Sequence, residues 1–78
     1  MTAKLTAVDI KTGDHVLWLT PFSNGETARI LDVQDSVELP GIVEITEADD
    51  WQNEWWPGAH RTRLFRRDRA DIVAARIA

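Results

Sequence analysis

His15-Val-Leu-Trp-Leu-Thr20 followed by Pro21-Phe-Ser-Asn-Gly25 is the stretch on which the fold turns. Valine, leucine and tryptophan in close order suit a pleated surface. Asn-Gly is a favoured pair for a tight hairpin turn, because both central positions need positive φ. A strand over 15–20 and a turn at Asn24-Gly25 therefore predict a return strand from about Glu26 to Asp35. Its apolar residues Ala28, Ile30, Leu31 and Val33 do not alternate, which predicts a bulge or a strand bending between faces. Upstream, Asp9-Ile-Lys-Thr-Gly-Asp14 reads as a turn with Gly13 free to take positive φ. Residues 1–9, weakly periodic, read as a loose lead-in.

Downstream, Pro40-Gly41 marks a turn, and Ile42-Val-Glu-Ile-Thr46 reads as the third strand, with Val43 and Ile45 on one face and Glu44 and Thr46 on the other. Residues 47–58 are dense in acids and tryptophans and end at Pro57-Gly58. A short helix within 47–56 would stack Trp51 and Trp55 on one side. The fourth strand runs from His60 to about Arg67. The stretch Ile72-Val-Ala-Ala-Arg-Ile77 fits a strand, while Ala70, Val73, Ala74 and Ile77 also fit a C-terminal helix that Asp68 could cap. The strand is preferred, because five short strands can close a barrel and four leave an edge exposed. The whole of 1–78 is one domain, with no repeat and no linker.

Asp9-Ile-Lys-Thr-Gly-Asp-His-Val16 resembles the first turn and strand of SH3-like barrels, where a D-(L/I)-K-x-G-D-x-V pattern is common. The Arg67-Asp-Arg-Ala70 connector resembles the single helical turn that those barrels place before their last strand. The resemblance implies an all-β fold, a small five-stranded SH3-like barrel. An OB-like barrel is the rival, since a short helix between the third and fourth strands resembles that order too. The chain departs from the peptide-binding branch of SH3-like barrels, having no tyrosine and carrying its acidic-aromatic segment late. Recognition of proline-rich peptides is therefore not implied.

Composition narrows the function. With 44% hydrophobic and 28% charged residues the chain is globular rather than disordered. At 78 residues it can hide only about 60% of its unfolded surface, so the core must be economical. The absence of cysteine excludes disulfides, thiolate metal sites and a thiol nucleophile, and favours a reducing cytoplasm. The longest apolar runs, Val16-Leu-Trp-Leu19 and Ile72-Val-Ala-Ala75, are too short to span a bilayer, and the N-terminus shows no signal-peptide core. The net charge of −4 conceals a split: residues 1–58 hold eleven acidic and three basic side chains, residues 59–78 two acidic and six basic ones. The chain as a whole lacks the basic excess of a duplex binder. The basic segment is expected to pack beside acidic strands and neutralise them. The competing reading is a molecule with one acidic and one basic face, suited to steering a partner.

Trp51, Trp55 and Trp56 lead the candidate residues, with Asp49, Asp50 and Glu54 beside them. An indole offers a large apolar face and one N–H donor, a good anchor for a partner. The competing reading folds this loop over one end of the barrel as a plug, and at least one of the three is expected to be buried; Trp18 is expected in the core. Arg61, Arg63, Phe65 and Arg67 share one face of the fourth strand and could follow a single-stranded nucleic acid, the ring stacking a base. Pairing of these arginines with Glu44, Glu47 or Asp49 is the preferred reading. A third arrangement, an acidic DNA-mimic inhibitor, would use Asp32, Asp35, Glu38, Glu47, Asp49, Asp50 and Glu54. Catalysis finds little support: His15 and His60 match no metal-ligand spacing, and there is no phosphate loop or nucleophile elbow. No cofactor and no metal are expected. The sequence thus reads as a non-catalytic module, phage-like in size and acidity or a bacterial accessory protein, that binds a protein partner through the acidic tryptophan loop. Nucleic-acid binding, DNA mimicry and a structural role as an oligomer building block are the alternatives.

Overall fold

The computed structural model describes residues 3–21, 23 and 25–77. Six strands form one antiparallel sheet: β1 (Ala3–Leu5), β2 (His15–Trp18), β3 (Thr27–Asp35), β4 (Ile42–Asp49), β5 (Arg61–Arg66) and β6 (Ala74–Arg76). Their order in the sheet is β1-β6-β2-β3-β4-β5. A 3-10 turn (Ala7–Asp9) follows β1, and one α-helix, α1 (Asp50–Trp55), separates β4 from β5. The fold is mainly β. Among the described residues no helix is long and apolar enough to cross a membrane.

The long β3–β4 pair forms the centre of the sheet. Its register shifts between Ile30 and Asp32, the bulge that the broken alternation predicts. A bulge bends its strand and adds twist, and the sheet curls far enough for β5 to face β2, three strands away. Phe65 of β5 stacks on Trp18 of β2 at 5.8 Å between ring centres and 18° between planes. Around this pair gather Leu5, Ala7, Ile10, Val16, Ala28, Ile30, Val43, Ile45, Val73 and Ala74. Trp18, wholly buried, is the largest side chain of the core, as expected. Burying so large a ring contributes more than any aliphatic side chain here could.

Two expectations are corrected. The sheet has six strands rather than five, and it does not close into a barrel: β1 and β5 remain its two edges. The sixth strand comes from the expected lead-in. Leu5 and Ala7 are buried, and β1 pairs with β6 through Leu5 and Ala74, Lys4 and Ala75, and Ala3 and Arg76. A core this small takes Leu5 and Ala7 from a segment with little periodicity of its own. At the other end, the strand alternative holds for the last segment, as Ala74–Arg76 pairs with both β1 and β2. Among the described residues 68–77 there is no helix; Asp68 pairs with Arg66 instead of capping one (3.0 Å). The connector before β6 is a tight turn closed by Arg69 N donating to Arg66 O.

Gly13 takes φ +93° in the first turn, where its N–H donates to Ile30 O. Gly25, also at φ +93°, lies in the β2–β3 connection, where its N–H donates to Trp18 O. Asn24, the other half of the expected hairpin pair, lies outside the described residues.

Candidate functional site

Strand alternation builds the site. On β4 the inward row is Val43, Ile45, Glu47 and Asp49, all buried. The first two are core; the next two place carboxylates where hydrocarbon would be expected. Glu47 has no exposed surface. Its Oε2 accepts from the Trp18 indole Nε1 (2.5 Å), and its Oε1 accepts from Arg61 Nε and Arg63 Nε (2.6 Å each). Both arginines reach on to Glu26 Oε2, Arg61 Nη2 at 2.9 Å and Arg63 Nη2 at 3.5 Å. The Arg63 guanidinium also lies over the Trp18 ring at 4.5 Å. Arg63 and Phe65, two residues apart on β5, thus cover the same indole. The Glu47 carboxylate, then Glu26, drives the Arg61 pKa above its usual value against the opposing effect of burial.

Asp49 ends the inward row and starts α1. Its Oδ1 accepts from Gln52 N (2.9 Å), the N-cap bond that satisfies one of the helix's orphan donors. Its Oδ2 is buried and has no hydrogen-bond donor among the described residues; Arg61 Nη2 stands 3.7 Å away. Asp50, the next residue, points outward. Its Oδ2 accepts from the Thr27 hydroxyl and from His15 Nε2, both at 2.6 Å. Partial burial pushes the Asp50 carboxyl up, but these two bonds outweigh it and hold the pKa below the ordinary aspartate value.

The helix presents the tryptophans. None of its own residues is buried. Trp51 is 66% exposed, Trp55 63% and Trp56, at its C-terminal boundary, 64%. Trp51 and Trp55 lie one turn apart with ring centres 6.4 Å apart, tilted by 55°. A cleft of about 200 Å³ opens beside them, lined by Glu26, Asp49, Trp51, Gln52, Trp56 and Arg61. The expectation that at least one of the three would be buried is corrected: the core is completed by Trp18 and Phe65, and α1 does not plug it.

The structure separates the expected acids. Glu54 is exposed, Asp50 is tied to His15 and Thr27, and Asp49 sits inside the cleft wall. The arginine stripe divides as well. Arg61 and Arg63 are engaged by Glu47 and Glu26, and Arg67 pairs with Asp35. Phe65 is buried, so its ring is not open to a base. The expected pairing of arginines with Glu47 is seen, and Asp49 stands near Arg61; Glu44 instead accepts from Gln34 (3.0 Å). For a DNA-mimic surface, the burial of Glu47 and Asp49 removes two of its seven acids. His60 approaches the Gly58 carbonyl rather than a metal-ligand partner. Among the described residues no three His, Cys, Asp or Glu side chains gather as a metal site.

Comparison of the chain with protein-family models, with curated proteins and with solved structures returns no match.

Proposed function

We propose that the protein is a non-catalytic binding module whose contact surface is the Trp51, Trp55 and Trp56 patch with its adjoining acids, and whose partner is another protein. One observation carries the reading: a helix with no buried residue holds Trp51 and Trp55, Trp56 stands at its C-terminal boundary, and each of the three is about two-thirds exposed. Clustered exposed aromatics mark interaction surfaces, since each ring gains on burial by a partner what the fold itself does not use. Glu26, Asp50 and Glu54 give the rim an acidic character that would steer a basic partner and make association salt-sensitive. The lack of cysteine fits a module working in a reducing compartment.

Acrylamide quenching of Trp→Phe variants tests the exposure: Trp51, Trp55 and Trp56 should quench freely and Trp18 should not. A partner captured by the wild type, then purified and titrated, should lose its affinity for Trp55→Ala and Trp56→Ala. Both variants should unfold within about 0.5 kcal/mol of the wild type, as surface substitutions do. Shielded indoles, variants that unfold, or a partner that still binds both variants would refute the assignment.

A further inference from the structure

Three carboxylates meet two guanidiniums beside α1. Glu26, Glu47 and Asp49 face Arg61 and Arg63, so one negative charge is left over. The arginines are drawn to the other two acids: Glu47 takes both Nε donors, and Glu26 takes an Nη2 donor from each. The excess falls on Asp49, whose Oδ1 is used by the helix cap. Its Oδ2 has no donor among the described residues, because Arg61 Nη2 at 3.7 Å is too far for a hydrogen bond. Asp49 is only 6% exposed. A carboxylate oxygen buried without a donor is rare, since it forfeits hydration with nothing in return.

We propose that the cleft beside Asp49 receives one basic side chain of the partner, a lysine or an arginine. Its N–H groups supply the donors that Asp49 Oδ2 lacks, and Glu26 lines the same cleft. Trp51 and Trp56 supply the faces against which the cation and its aliphatic stem lie, tryptophan being the best ring for that contact. The size agrees. Small-molecule sites run to about 300–1,000 Å³, whereas about 200 Å³ holds the end of one side chain. An anionic group is disfavoured, because the lining sets two carboxylates, Glu26 and Asp49, against the one guanidinium of Arg61. This inference rests on the tryptophan patch being the partner surface, and it specifies the chemistry of the residue that docks there.

The test follows the indole N–H resonances of the ¹⁵N-labelled protein during titration with acetyl-Gly-Gly-Lys-Gly-Gly-amide, its arginine counterpart, and its norleucine counterpart as the uncharged control. The basic peptides should shift Trp51 and Trp56 saturably, and the shift should weaken as salt is added. The norleucine peptide should leave both in place. Asp49→Asn retains a good N-cap acceptor, so α1 survives, and should weaken the lysine peptide by about tenfold, the scale of a hydrogen bond to a charged group. If norleucine moves the same resonances equally, or if Asp49→Asn binds lysine as well as the wild type, the cation receptor is overturned while the tryptophan surface stands. If no peptide moves either indole, the receptor is likewise overturned, and the quenching and partner experiments decide the surface on their own.

Discussion

A carboxylate with no access to water, as at Glu47, is tolerable only when its lone pairs are filled. Here the Trp18 indole and the Nε groups of Arg61 and Arg63 fill them. Removing Glu47 leaves the Trp18 N–H and the two Nε donors without their acceptor, although Glu26 still faces both arginines, at a cost of about 1–3 kcal/mol for each donor that stays buried. Set against the about 5–15 kcal/mol of a typical domain, Glu47→Ala should leave a protein near its unfolding limit. Arg61→Ala should cost less, because its side chain is 45% exposed and water can replace it. Urea unfolding of the two variants checks the order; equal losses would mean that the charge is less confined than the geometry indicates. The sequence held half of this. Val43 and Ile45 on one face were legible from period-two alternation, and the same period carried two residues further puts Glu47 and Asp49 on that face. Two acids at the end of an apolar run argued instead for ending the strand at Thr46. What reverses the argument is a donor set drawn from β2 and β5, distant in sequence, and no local pattern encodes that meeting.

At the scale of elements, α1 is the least supported. Six residues cannot sustain a helix alone, and burial does not help it. Its hold is polar. Asp49 caps its start, while Asn53 donates from Nδ2 to Asp49 O (3.3 Å) and Ala59 O (3.1 Å) and accepts at Oδ1 from Gly58 N (2.9 Å). One side chain thus ties the helix to the chain returning into β5. Asn53→Ala should loosen that segment by about 1–2 kcal/mol. Amides of 50–59 should then exchange on the order of tenfold faster, with the core amides of β3 and β4 unchanged. Unaltered exchange would show that the cap suffices without the tie. The helix itself was legible from the spacing of Trp51 and Trp55, as were the bulge in β3 and the strand at 74–76. β1 was not, because three residues with one buried side chain carry no periodicity; pairing with β6 makes them a strand.

For the molecule as a whole, the open sheet shifts weight onto contacts that join distant parts of the chain. Asp14, after the first turn, takes Arg76 Nε at Oδ1 (3.0 Å) and Arg76 Nη2 at Oδ2 (3.2 Å), across most of the sequence. Lys11 N donates to Oδ2 as well (2.8 Å). Burial pushes the Asp14 carboxyl up, but the Arg76 and Lys11 bonds prevail and set its pKa below the ordinary value of 3.8. Asp50 is lowered by Thr27 and His15 against the same opposition from burial, and Asp71 is lowered chiefly by its bond from Arg69. In each case the folded carboxyl binds its proton less readily than the unfolded one. As acid is added, the unfolded chain therefore takes up protons first, and stability falls. The contribution of these groups is complete above about pH 5, begins to fall near pH 4, and is lost once the folded carboxyls are protonated. The melting temperature should accordingly be insensitive to these groups through neutral pH and drop below about pH 4. Asp14→Asn should melt lower than the wild type at pH 7, and the gap should narrow as the pH falls, because protonation removes from the wild type what the variant already lacks. Parallel melting curves down to pH 3 would show that the Asp14–Arg76 link does not hold the last strand to the first turn in solution. The acid response would then belong to the other carboxylates.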